Sequence, residues 1–364
     1  KTTGDNTTLQ YVTLNNSLNQ VSWAEFHGTR LTTPVPSVKE ITSTYNVIVL
    51  DYVVTQVGQN GQSEYYNVEE YYRVRYTNTR MYLLNFERTM EEIFRGENDS
   101  ISGNDILLGI RSKDVEYQTN ESGKVVAFVQ EGELWSYNQE ANTLAKVFSF
   151  RGYEGVDDRE NYGEHDIKIV NIDEAGSIDY IVYGYMNRGI HEGTVGIAVY
   201  HYDSLANTNE EQVFIPSSQS YEVMKSELGQ LMYVTESGAF YIMVDGNVYG
   251  IDLNSLDTKV LVEGLSDEAV AISESNRFLA WVDSSAIRGS DTIHIIDFVT
   301  EKVTDVTEST SDYVKPLGFM QEDFVYGVAK SADVVVDAAG NTLFPMYQVK
   351  IMDTSSEEHE VLKT

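Results

Sequence analysis

The stretch DGNVYGIDLNSLDTKVLVEG, residues 245–264, decides the fold. Asp-Gly is a favoured two-residue hairpin turn, because both positions need a positive φ. NVYGID then alternates as a strand, Asp252 stands at its end, a polar turn follows, and KVLV reads as the returning strand. An Asp or Asn at a strand end accepts hydrogen bonds from the backbone of the next turn, so it has a physical reason to recur. It does recur. EGELWSYNQEANTLAKVFSF (131–150), DTIHIIDFVTEKVTDVTE (291–308) and MYQVKIMDTSSEEHEVLK (346–363) share the outline, and RMYLLNFERTMEEIFRG (80–96) and AVYHYDSLANTNEEQVFIP (198–216) are looser copies. The strand-end residues are Asn85, Asn138, Asp203, Asp252, Asp297 and Asp353.

Another apolar strand precedes most copies: KVVAFV (124–129), YIVYGYM (180–186), QLMYV (230–234), RFLAWV (277–282) and DFVYGVA (323–329). A further one lies upstream in IKIVNI (167–172), AVAIS (269–273) and VKPLGF (314–319). Repeats of about 45 to 60 residues built only from strands predict propeller blades. No long segment keeps a helical period, and TMEEIF (89–94) reads as a strand. The expectation is an all-β protein, a β-propeller of about six (alternatively seven) four-stranded antiparallel blades, with units at 45–96, 103–150, 165–215, 221–263, 267–307 and 313–363. A pair of β-sandwiches is the competing architecture. Residues 45–364 form the propeller domain, and 1–44 supply strand candidates at 8–14 and 20–26 that close the ring or begin a seventh blade. PVPSVKE (34–40) reads as an extended linker. The core is expected on the inner strands, at Ala127, Val129, Val182, Val234, Ala280 and Val325.

Composition narrows the function. The 364 residues carry 57 acids against 25 Lys and Arg, a formal charge of −32. Such a surface repels phosphate backbones and anionic headgroups, which argues against nucleic acid as a partner. No cysteine is present, so disulfides, thiol nucleophiles and Cys-ligated zinc are excluded. No apolar run approaches the roughly 18 residues of a membrane span. The chain opens KTTGDNTTLQ without Met, which leads to the expectation of an extracytoplasmic protein, exported and anchored through a removed N-terminal segment, and acting as a monomer.

NESGKVVAFVQEGELWSYN (120–138) resembles the blade signature of the TolB and dipeptidyl-peptidase propeller families. In those families a polar turn with Gly leads to an inner strand, an acid-Gly turn and an apolar strand ending in Asp or Asn. SESNRFLAWVDS (273–284) is similar, with Asn276 at the Gly position. The resemblance implies a propeller. In the peptidases of that class the chemistry belongs to a separate hydrolase domain with a G-x-S-x-G elbow, which this chain lacks. TolB-like propellers bind proteins, so the resemblance implies an interaction role.

Alternate connections of a four-stranded blade emerge on opposite faces, so the loop between strands two and three shares a face with the link entering the blade. RGYEGVDDRENYGEHD (151–166) and MNRGIHEGTVG (186–196) should therefore lie side by side. SSAIRGSD (284–291) and KSADVVVDAAGNTLFP (330–345) hold equivalent positions in later blades. Long loops on one face are where scaffolds carry function. The candidate binding residues are Asn187, Arg188, His191, Glu192, His165, Asp166, Arg159 and Asp158. They offer a polar surface for a protein or a cell-surface glycan, with no catalytic residue assigned. No cofactor is expected. A cation such as calcium would have to use these carboxylates, or His165, His191 and Glu192, because no EF-hand or zinc spacing is present. The alternative reading is a glycan-acting hydrolase or lyase with acidic and His residues at the propeller channel mouth.

Overall fold

The computed structural model describes residues 4–58, 61–96, 101–102, 105–106, 115–152, 157, 159–160, 162–228, 230–235, 237–266, 269–283, 289–337, 342–355 and 359–363. They form two compact units, 1–194 with 199–211, and 195–198 with 212–364.

Six main sheets follow one another along the chain, near the expected boundaries. Five have four antiparallel strands. Residues 117–148 form one, 165–216 the next, and then 232–262, 270–307 and 312–363. In sheet 232–262 the order is Met232–Val234, Ala239–Val244, Asn247–Asp252, Thr258–Val262, each strand paired with the next in sequence.

The local chemistry of these sheets repeats. Val244 pairs with Asn247 across a turn in which Asp245 (φ 52°) and Gly246 (φ 69°) are both left-handed. Glu131 (φ 53°) and Gly132 (φ 70°) repeat it between Gln130 and Glu133. The strand-end acceptors work as the spacing predicts. Asp252 Oδ1 accepts from the Asn254 and Ser255 amides at 2.8 and 3.1 Å. Asn138 accepts from Ala141, Asp203 from Leu205 and Ala206, Asp297 from Val299 and Asp353 from Ser355, all at 2.8 to 2.9 Å. The turn before each inner strand repeats too: Gly123, Gly176, Gly238 and Asn276 all have positive φ. Asparagine tolerates that conformation better than most non-glycine residues, which explains Asn276 in a glycine position.

Within the second unit the sheets bury their faces against one another. Leu279, Ile296 and Phe298 of sheet 270–307 pack with Tyr241, Met243 and Val248 of sheet 232–262. Ala280, Ile293 and Ile295 pack with Val314, Phe324 and Tyr326 of sheet 312–363. A strand covered on both faces loses its polar alternation, and AFYIMV (239–244) is apolar throughout. Of the core residues expected from sequence, Ala127, Val182 and Ala280 are fully buried. Val129, Val234 and Val325 are only half-buried, and aromatic neighbours such as Phe128 and Phe324 fill the interior.

The sheet of residues 11–92 departs from the four-strand outline. Its central strands, Asn46–Val57, Ser63–Tyr76 and Met81–Glu92, run 12, 14 and 12 residues. Tyr11–Thr13 adds to one edge, and Val35–Ile41 and Thr29–Arg30 add to the other strand, making six. The segment read as a linker is thus a paired strand. The strand expected at 20–26 is instead a short helix, Leu18–Val21, capped by the Ser17 hydroxyl, and then a turn with Trp23 at φ 73°. Asn85 sits inside a strand and donates to Glu87 at 2.9 Å rather than closing a turn. A second helix, Tyr221–Leu228, precedes sheet 232–262; Met224 and Leu228, one turn apart, are its buried residues.

Candidate functional site

The loops 151–166 and 186–196 meet. The hairpin between Ile178–Tyr185 and Val195–Asp203 carries Asn187 to Glu192, with Gly189 and Gly193 at φ 94° and 86°. Asn187 is buried, and its Nδ2 donates to the Tyr162 carbonyl at 2.8 Å and to that of Glu160 at 3.4 Å. Arg188 reaches Asp157 at 2.9 Å and Glu160 at 2.6 Å. Arg159 bridges back to Glu192 at 2.9 Å and holds Asp157 at the same distance. The Arg159 side chain and its backbone amide keep the Asp157 carboxyl well below the usual range, so Asp157 stays ionised at neutral pH.

His165 lies under this network. Its Nδ1 is 3.1 Å from the Tyr162 carbonyl, its Nε2 is 3.4 Å from that of Gly132, and its ring meets Phe150 edge-on at 4.8 Å. Burial lowers its pKa and keeps the ring neutral. Asp166 Oδ1 accepts from the Ile167 amide at 2.8 Å, and Tyr183 donates to Oδ2 at 3.4 Å. His191 is 2.8 Å from Glu211, a carboxylate that also accepts from Tyr200. Asp158 lies outside the described residues, as do 284–288 and 338–341 of the later loops.

Asn187, Arg188, Glu192, Arg159 and His165 therefore form one connected group, Asp166 accepts from Ile167 and Tyr183, and His191 stands against Glu211. The three potential cation ligands do not converge. Among the described residues no set of three His, Asp or Glu side chains is placed to hold a metal ion. At the tip of the hairpin Ile190 stands 87% exposed. An apolar side chain pushed into water by a tied-down loop is the feature that polar-residue reasoning passes over, and its signal was the isoleucine between two glycines.

Two further clusters escaped the sequence. Glu131, in the turn after Val125–Gln130, accepts from Asn67 Nδ2 of the first sheet. Burial and the adjacent Glu91 carboxyl push it up to about 7, outweighing Arg151. In the second unit a cavity of about 250 Å³ is lined by Gln219, Glu227, Asp245 and Ser266. Its acids are already engaged: Asp245 accepts from Ser217 at 2.6 Å and from the Ser218 amide at 3.0 Å, and Glu227 accepts from the Asp245 amide at 3.0 Å.

The recurring four-stranded antiparallel sheet, linked hairpin to hairpin in sequence order, is the blade of a β-propeller, and the chain is a protein of that fold class. Its likenesses among solved structures are propellers. A TolB-type protein from Agrobacterium tumefaciens is 16% identical over 68% of this chain and 79% of the other, at a TM-score of 0.28. Dipeptidyl peptidase 4 of Porphyromonas gingivalis is 11% identical over 87% of this chain, at 0.32, and this chain spans 51% of its length. The propeller domain of the Trilobed protease from Pyrococcus furiosus is 10% identical over 90% of this chain and 83% of the other, at 0.27. At such scores the fold assignment rests on the sheet topology. No family model and no curated protein matches the sequence. No helix among the described residues is long and apolar enough to cross a membrane.

Proposed function

We propose that the chain is a non-catalytic interaction module that binds a partner protein through the loops 151–166 and 186–196. The observation that supports this reading is the pairing of Arg159 with Glu192 and of Arg188 with Asp157 and Glu160, below an Ile190 left 87% exposed. Exposed ion pairs contribute little stability singly. Here they fix two long loops and so reduce the ordering cost of binding. A fixed apolar side chain within a polar rim suits a protein pocket better than a glycan, whose recognition relies on hydrogen-bond donors and stacked rings.

The glycan-acting alternative has one carrier, the raised carboxyl of Glu131 beside Glu91. Glycosidase carboxyls stand about 5 to 9.5 Å apart to admit the sugar, or the sugar and a water. These two are in hydrogen-bond contact, which favours the binding reading.

The test compares the native chain with Ile190→Asp and Arg188→Ala/Glu192→Ala variants of matched melting temperature. Each is cross-linked in an envelope extract, and its partners are quantified. A protein retained by the native chain and lost from Ile190→Asp is the expected result. Equal retention by all three sinks the proposal, and so does turnover of a glycan abolished by Glu131→Gln.

A further inference from the structure

The long-stranded sheet is covered over only half its length. On the face carrying Arg88, the N-terminal segment packs across Val68 and Met90 through Leu9 and Trp23. Towards the turn at Thr77–Arg80 that cover ends. The register puts Val38, Ile48, Tyr72 and Phe86 in one row, Ile41, Asn46, Val74 and Leu83 in the next, and Tyr76 and Met81 beyond, all on the same face. Ile41 is 78% exposed, Tyr76 68% and Met81 63%. A contiguous apolar strip across four strands marks an interaction surface.

The opposite face of the same end is cationic. Residues 71–86, YYRVRYTNTRMYLLNF, hold three arginines and no acid, in a chain with 57 acids. Arg73 stacks on Tyr45 at 3.8 Å, and Arg75 and Arg80 lie over Tyr82 at 5.2 and 4.5 Å. None of the three makes an ion pair among the described residues. The outer edge of Met81–Glu92 is paired by Tyr11–Thr13 only at Glu87–Thr89. Among the described residues no strand covers the edge at Met81–Phe86.

We propose that this edge receives an extended acidic segment of a partner protein by strand addition. In a strand, side chains alternate between faces. A segment alternating apolar and acidic residues would lay the apolar set beside Tyr76, Met81 and Leu83. It would lay the acidic set beside Arg75 and Arg80, with the open edge supplying the backbone hydrogen bonds. Two other occupants fit less well. A second copy added to the same edge about a twofold axis normal to the sheet sets cationic face beside cationic face, and one docked through the apolar face leaves the open edge unpaired. An anionic membrane plane confronts the whole −32 molecule, whereas a peptide meets only the tip, with the rest screened beyond about 8 Å at physiological salt.

The probes are labelled octapeptides of alternating valine with glutamate and of alternating valine with lysine, added to the full chain. Phosphatidylserine vesicles and sedimentation of the protein alone complete the set. The expected result is binding of the glutamate peptide only, weakening at high salt, with slowed amide exchange at Met81–Asn85. Arg75→Glu/Arg80→Glu should bind the glutamate peptide at least tenfold more weakly and gain the lysine peptide, a gain that also shows the variant is folded. Ile190→Asp should leave binding unchanged, which separates this surface from the loop site. Equal binding of the two peptides, indifference to the charge reversal, no protection at the edge, or vesicle binding or dimer formation in place of peptide binding each overturns the proposal.

Discussion

The sheet of residues 11–92 and the sheet of residues 232–262 are both antiparallel, yet different groups hold them in place. The second uses backbone-directed side chains. Asp245 and Gly246 make its tight turn and Asp252 closes the next, all within a few residues in sequence. The first uses a long-range clasp. The Arg88 side chain, 1% exposed, donates to the carbonyls of Gln20 and Val21 at 2.8 and 3.1 Å. It also lies 3.7 Å over the Trp23 ring and 3.8 Å from Glu70. A blade carries its own closure and needs its neighbours only for burial. The long sheet needs a segment some 67 residues away to cover a buried charge.

Removing the clasp is the severest way to break that contrast. Arg88→Ala strips Glu70 of its cation and two carbonyls of their donor. The expected loss is about 3–5 kcal/mol, the usual penalty for removing one partner of a buried pair. A urea melt reads it directly, and a loss below about 1 kcal/mol would mean that the N-terminal segment is held by packing alone.

The next effect lies where a turn of the sheet of residues 117–148 meets the long sheet. Folded Glu131 titrates near 7, above its ordinary 4.5. Between those values the folded state keeps a proton that the unfolded chain has lost. Its contribution is complete below about pH 4.5 and disappears as pH rises through 7. Stability should therefore fall from about pH 5 to about pH 8. Glu131→Gln, which keeps an acceptor for Asn67 and supplies a donor for Glu91, should flatten that slope. It should raise the melting temperature by a few degrees at about pH 8 and hardly change it at about pH 5. Parallel slopes for the two proteins would refute this.

The smallest and sharpest comparison sets two asparagines side by side. Asn138 accepts from the Ala141 amide at 2.9 Å, whereas Asn85 donates to Glu87 in mid-strand. Asn138→Ala should cost about 1 kcal/mol, one hydrogen bond's net worth, and Asn85→Ala about half that or less. Equal losses would show that the strand-end position has no special role.

Much of the architecture was legible because blade closure is local. A strand, its Asx acceptor and the turn it closes lie within ten residues, so a linear reading recovers them at Asn138, Asp203, Asp252, Asp297 and Asp353, the first and third of them after an acid-Gly turn. The same motif misleads at Asn85, because an Asx in a long strand looks identical to one at a strand end. The helix at Leu18–Val21 was hidden for a similar reason: Gln-Val-Ser-Trp suits a strand until Arg88 fixes the carbonyls around it. Blade connectivity placed the two long loops together. It gave no hint that their arginines would pair with their own carboxylates, nor that Ile190 would be the exposed group.

Fold class, turn chemistry and the lack of thiol chemistry follow from residue type and short spacing, and so can be read along the chain. The clasp at Arg88, the raised carboxyl at Glu131 and the half-covered face around Ile41, Tyr76 and Met81 arise only when distant segments pack. Those features depend on which distant groups share a dielectric environment and which are left in water. Burial of that kind is a property of packed surfaces, and no spacing along the chain encodes it.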